Sequence, residues 1–351
     1  MKKFNSTCYL FIICCSFVNF ANAQSATTFS NPLLPAGADP WCIYKNGYYY
    51  YTNTTGRNIS IWKTKTIAAL KTAEKKIVFT PPGSGPYSKE LWAPEIHFLN
   101  NKWYIYFAAD SGNNVSHRIW VLENSSADPL AGEWQMKGKL LTPGDKWSID
   151  GSIFEHKKQL YFIWSGWDGD VNGQQNIYIA KMKNPWTLED KRAKISSPEL
   201  DWEIHGDLNN ANDVPHVNVN EGPEVLTNKN KLFLIYSASG CWTDYYALGM
   251  LSTSDTSDLM NPSSWKKYPH PVFTQSKENS VFAPGHNSFF KSPDGKEDWI
   301  LYHANDKAGE GCGRYRSPRA QPFTWTKDGL PNFGVPISTK TPIIIPSETA
   351  R

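Results

Sequence analysis

Five runs of aromatic and β-branched residues recur along the chain: 48–52 (YYYYT), 103–107 (WYIYF), 160–164 (LYFIW), 232–236 (LFLIY) and 299–303 (WILYH). Each reads as a short strand. Turn sequences precede them, such as Lys45-Asn46-Gly47, Asn100-Asn101-Lys102 and Asp294-Gly295-Lys296, and these predict hairpin loops. Upstream of each turn lies a second short strand, and a polar residue flanked by Gly or Pro stands at its start. Those starts read GADPWCIY around Asp39, WAPEIHFL around Glu95, SIDGSIFE around Asp150, NEGPEVLT around Glu221 and Glu224, and PGHNSFFK around His286. Further strand-like segments follow the runs, for example 116–122 and 176–180. The pattern gives about four strands in a unit of about 60 residues, five times over, which predicts an all-β, five-bladed β-propeller. A β-sandwich has no reason to put a polar residue at the same point of every unit. A propeller does, because its innermost strands line one channel.

Composition sharpens this picture. The 351 residues include 15 Trp, 17 Tyr and 17 Phe beside 24 Gly and 24 Pro, which suits short aromatic strands joined by many turns and argues against a mainly helical protein. Lys and Arg number 36 against 33 Asp and Glu, a net charge of +3. That balance carries no footprint for nucleic acid, and no basic block marks a membrane surface. At the N-terminus, Lys2 and Lys3 precede an apolar run at 9–20 and an Ala21-Asn22-Ala23 cleavage pattern. This predicts a signal peptide over 1–23 and a secreted or periplasmic protein, with one propeller domain over 24–351. No Ser/Thr/Pro-rich linker follows the fifth unit, so no separate binding module is expected, and the tail after Pro331 reads as strand closing the ring. Cys42, Cys241 and Cys312 remain after the signal. Three cannot all pair within one chain and a core of this size needs no staple, so they are expected to be buried or idle thiols.

Asp39, Asp150 and Glu221 stand out, each beside Pro or Gly at the start of an innermost strand, in units one, three and four. Strands ringing one axis bring them to one end of the channel. A buried carboxylate cluster is costly, because burial and mutual repulsion both oppose ionisation, and it persists where chemistry or a cation needs it. Glycoside hydrolysis uses such a set: one carboxylate activates water, a second delivers a proton, and a third raises the second's pKa from its free value near ~4.3. Trp41, Trp92 and Trp242 are candidate platforms for a sugar's apolar face, with core packing as the alternative for each.

GADPW, LWAPEIH, SIDGS and NEGPE, followed by PGHNSFF and DWILYHAN, resemble glycoside hydrolase family 43 over the whole chain after the signal. The stretch from Trp202-Glu203 to NEGPE, with SGCWTDYYALGML after it, is most similar to that family's exo-acting α-L-arabinofuranosidases. The resemblance implies a five-bladed propeller hydrolysing with inversion, Asp39 as general base, Glu221 as general acid and Asp150 as the residue that tunes and orients that acid. Glu224, three residues after Glu221, is expected on the opposite strand face with a structural role. No cofactor is implied for the chemistry. The resemblance does imply a structural calcium in the central channel near His286, although a lone His is more commonly a hydrogen-bonded core residue. Of the arginines in GRYRSPRAQPFTW, Arg316 aligns best with the family's sugar contact, Arg319 is second, and a solvent-exposed run is the alternative. The polar connection 203–220 could wall off one end of the cleft or be a plain surface loop.

The expected substrate is therefore arabinan or an arabinose-containing oligosaccharide. A β-xylosidase or endo-arabinanase on the same propeller stays open, as does a non-catalytic sugar-binding propeller. The last would be expected to lose at least one of the three carboxylates. The sequence does not set the oligomeric state, and a monomer is expected.

Overall fold

The computed structural model describes Met1 and residues 27–208 and 215–348; the segment read as a signal peptide thus lies outside the described residues beyond Met1. Strands fall into five antiparallel groups in sequence order, the third and fourth joined by a short parallel pairing of Gln174 and Gln175 with Asn218 and Val219. Blade one comprises Ala38–Lys45, Tyr48–Thr54, Ile59–Thr64 and Glu74–Phe79, and blade two Lys89–Leu99, Lys102–Asp110, Arg118–Asn124 and Gln135–Lys139. Blade three runs through Ser148–His156, Gln159–Gly166 and Gln174–Asn184, edged by Thr187–Leu188 and Ala193–Ser196. Blade four comprises Asn218–Asn228, Lys231–Ala238, Ala247–Ser254 and Lys266–Lys267, and blade five Phe282–Lys291, Asp298–Asn305, Ser317–Trp325 and Pro331–Asn332. The first strands of successive blades touch one another around a ring, and that of blade five touches that of blade one. The fold is a five-bladed β-propeller. Its seam is reinforced by antiparallel pairing of Thr28–Phe29 with Ile343–Ile344.

The aromatic runs are the second strands, and their packing explains the composition. Alternate residues on each of these strands enter different hydrophobic clusters, one in each gap between blades. Trp103, Ile105 and Phe107 pack towards blade one, while Tyr104 and Tyr106 pack towards blade three. Tyr49 and Tyr51 meet Trp299 and Leu301 across the seam. Wedge-shaped gaps between twisted sheets need large rings to fill them, and a strand buried on both faces has no polar alternation.

The innermost strands share one irregularity. Each carries a bulge in which two residues oppose one on the second strand: 39–40, 93–94, 150–151, 222–223 and 286–287. The first bulge residue is left-handed every time: Asp39 (φ 55°), Ala93 (43°), Asp150 (52°), Gly222 (55°) and His286 (48°). A bulge of this kind re-aims a side chain, here Asp39, Asp150 and His286 towards the channel mouth.

Candidate active site

The bulges correct one expectation. Asp39 and Asp150 are structural equivalents, but the matching position in blade four is Gly222, and Glu221 sits one residue earlier, paired with Ser237. Glu224 is corrected too. The bulge between it and Glu221 returns it to the channel, where its carboxyl hydrogen-bonds to Glu95 and Ser152 one level further in. Three residues of ordinary strand would have turned it away.

At the mouth, His286 is the hub. Its Nδ1 lies 3.4 Å from Asp39 Oδ1 and 3.9 Å from Asp150 Oδ2, and its backbone N–H donates to Ser237 Oγ at 2.7 Å. Its ring packs against Gly222, where a Cβ would stand 3.3 Å from the imidazole; glycine thus satisfies both the left-handed backbone and the close ring. Asp39 accepts from Thr54 Oγ1 at 2.5 Å and from Arg316 Nη1 at 3.2 Å. Thr54 is itself held by Ala93 N–H at 2.7 Å. Asp39 N–H donates to His303 Nδ1 at 3.1 Å, and burial holds that imidazole well below its ordinary pKa, so it is neutral. Asp150 Oδ2 accepts from Gly222 N–H at 3.0 Å. The partly buried Glu221 accepts from Tyr246 OH at 2.8 Å. Tyr246 reaches it by lying over Gly285, where a Cβ would stand 2.1 Å from the ring.

These contacts polarise the three acids. Burial pushes all three carboxyls up, and the outcome depends on what opposes it. At Asp39 the His286 imidazole and the Arg316 guanidinium overcome burial and hold the group well below the usual carboxylate range. At Asp150 burial wins, opposed by His286 but reinforced by Glu221 and Asp39, and the carboxyl is pushed up to about 8. Glu221 is raised by burial and by Asp39, against His286, the Tyr246 hydroxyl and Arg316. His286 is raised despite burial, because Asp39, Asp150 and Glu221 surround it. One acid is thus held ionised beside two whose carboxyls are pushed up.

The remaining candidates divide. Arg316 meets Asp39 and lines an adjacent cavity of about 260 Å³ with Ala38, Thr54, Glu90, Trp92 and Cys312. Trp92 is stacked on His117 at 4.0 Å, with its Nε1 donating to Glu90 Oε2 at 3.1 Å. Arg319 is fully buried within blade five, paired with Asp306 at 2.6 Å, and does not line this cavity; Arg314 is the exposed member of the run. Trp41 sits one level down the channel, its Nε1 donating to Ile96 O at 2.9 Å and its ring against His97, so it packs between blades instead of facing the mouth. Trp242 stands on a rim loop, tied by its Nε1 to Asp207 O at 2.9 Å. The connection at 203–220 folds back on itself through Val217 N–H to Gly206 O at 2.9 Å, and its centre, 209–214, lies outside the described residues. Thr54, His303 and Tyr246 were not singled out by the sequence, since each acts across a turn or a blade. The cysteine expectation fails for two of the three: Cys241 and Cys312 form a disulfide, and among the described residues Cys42 is the one free, buried thiol. The bond joins surface loops, so core size is no guide to it.

Among the described residues no three His, Cys, Asp or Glu side chains converge as metal ligands. His286 Nδ1 faces two carboxylates that already have partners. This set does not by itself make a calcium site, and no step below uses one.

A five-bladed propeller with three polarised carboxyls at its channel mouth has the layout of a glycoside hydrolase. The sequence profile described as glycosyl hydrolases family 43 matches residues 29–331, and the chain belongs to that family. An "Extracellular exo-alpha-(1->5)-L-arabinofuranosidase" from Streptomyces avermitilis is 39% identical over 91% of this chain, which spans 66% of that relative's length. "Alpha-L-arabinofuranosidase 43" from Humicola insolens is 34% identical over 93% of the chain and 66% of its own length. The crystal structure of an α-L-arabinofuranosidase from Lactobacillus brevis superposes with a TM-score of 0.82 at 36% identity, covering 89% of this chain and 98% of that one.

Proposed function

We propose that this chain is an exported, inverting exo-α-L-arabinofuranosidase that releases terminal L-arabinofuranose from α-1,5-arabinan or arabino-oligosaccharides. The observation that carries this is the opposed polarisation of Asp39 and Glu221 in one cluster. Asp39, ionised, takes a proton from the attacking water. Glu221, protonated, delivers its proton to the leaving oxygen. Asp150 and Glu221 repel each other as anions, so the pair does not readily ionise together, and Asp150 fixes the strand beside Glu221 through the Gly222 N–H. Asp150 and His286 lie beside Asp39, and Glu221 does not bond it directly, which suits the water-sized gap that inversion requires.

The cavity beside Asp39 favours one sugar ring over an extended chain, and Arg316 and Trp92 are its polar and aromatic contacts. The named activities of the relatives agree with this choice of sugar. The chemistry needs no cofactor. A leader over 1–23 accounts for export, and a disulfide is at home in an oxidising compartment. The test is product analysis on linear α-1,5-arabino-oligosaccharides with an Asp39→Asn variant alongside. Arabinose as sole early product, absent in the variant, is expected. Mixed short oligomers would replace exo with endo action, and no release would redirect the search to xylo-oligosaccharides.

A further inference from the structure

The disulfide joins two loops that have little else in common. Cys241 lies in the loop between the second and third strands of blade four, Cys312 in the corresponding loop of blade five, 71 residues apart in sequence. Both half-cystines are only partly buried, and neither belongs to a hydrophobic cluster between blades. The loops are tied a second time, because Gly309 N–H donates to both carboxylate oxygens of Asp244 at 2.9 and 3.1 Å. Gly311, whose carbonyl accepts from Asn305 Nδ2 at 3.0 Å, lies against the backbone of Trp242. What each loop leads into is more telling. Five residues after Cys241, Tyr246 holds Glu221; four residues after Cys312, Arg316 holds Asp39.

We infer that the Cys241–Cys312 clasp is a positioning device for the reaction, fixing the loop that orients the acid relative to the loop that holds the base. Inversion depends on the spacing of those two carboxyls, because a water must fit on one side of the sugar while the proton arrives from the other. The two carboxyls sit on different blades, so their spacing follows blade packing and the two side chains that grip them. The clasp ties together at the rim the two loops that lead into those grips; Tyr246 itself is buried over Gly285, while the half-cystines lie outside the hydrophobic clusters. Cys312 also lines the cavity beside Asp39, so the same bond shapes the place where the sugar ring sits.

This rests on the assignment of Asp39 and Glu221 as base and acid, and the experiment separates the two. A Cys241→Ser/Cys312→Ser double variant and, with the cysteines intact, Asp244→Ala are assayed on arabinobiose and on an aryl α-L-arabinofuranoside whose leaving group needs no proton, with melting followed in parallel. Misplacement of an acid or base by a fraction of its reach costs roughly ten- to a hundredfold, so kcat on arabinobiose should fall by that much in the double variant with KM nearly unchanged. The aryl substrate should suffer less, since it depends less on Glu221. Asp244→Ala should show the same split, smaller. Wild-type enzyme reduced with dithiothreitol should lose, and on reoxidation regain, the same activity. If both variants keep wild-type kcat on both substrates and only melt earlier, the clasp is a staple and the inference is overturned. If Glu221→Gln and Asp39→Asn remain active, the acid–base assignment fails instead, whatever the clasp does.

Discussion

The channel holds two levels of buried carboxyls, and only the outer one is equipped for chemistry. The outer level has Asp39, Asp150 and Glu221 around His286 and Arg316. The inner level has Glu224 and Glu95, with Ser152 bonded to Glu224 and His97 Nε2 donating to Glu95 at 2.9 Å. Burial raises Glu224 strongly, and Glu95 reinforces it. Among the described residues no arginine is paired with either glutamate. In the outer level a guanidinium and an imidazole favour the ionised form of one acid, while its two neighbours stay pushed up. Acids in a channel therefore do not make a hydrolase; unequal opposition to burial does.

The same substitution tests this at both levels. Glu221→Gln should cut kcat on arabinobiose by about three orders of magnitude, the range for loss of a positioned proton donor. Glu224→Gln keeps a donor for Glu95 and should stay within a few-fold of wild type. Equal losses would erase the distinction. Next in size is Arg316→Met. Asp39 then loses its guanidinium and its pKa rises, so the acid limb of kcat/KM should move to higher pH, by less than loss of His286 would move it, because the imidazole opposes burial more strongly. An unmoved acid limb would mean that Asp39 is held ionised by something else. Asp150→Asn leaves Glu221 without a second ionisable carboxyl to compete with, so Glu221 gives up its proton sooner. The alkaline limb should move to lower pH, and a static limb would argue against the tuning role. The smallest effect is on stability. Because folding raises the pKa of Glu224, the native state holds a proton that the unfolded chain releases, and stability declines as pH rises above the ordinary carboxylate range. Glu224→Gln removes that decline, so its melting temperature relative to wild type should climb with pH.

Much of this was legible in the chain. The five aromatic runs are the five second strands, and the polar residues at the strand starts mark the channel. Two details escaped because a bulge inserts a residue that period-two counting does not see. Glu221 slipped one place from its supposed equivalents, and Glu224 returned to the side it was expected to leave. Trp41 was drawn towards the sugar by its nearness to Asp39, whereas the bulge sets it one level deeper. Tyr246, Thr54 and His303 act across distances in the chain for which no local pattern exists. The cysteine pair escaped for a different reason, since hydrophobic content speaks to cores and the bond belongs to a rim.

The seam of the ring carries a consequence in time. Asp39 lies in the first blade to be synthesised, and both groups that hold it ionised, His286 and Arg316, belong to the last. A nascent chain complete through blade four contains all three acids and none of the positive charge that distinguishes them. Its base then lies at an open seam, without the blade that buries it and without the groups that set it apart from the other two acids. Competence arrives in one step, when the fifth blade docks against the first, so an unfinished or open ring is silent by construction.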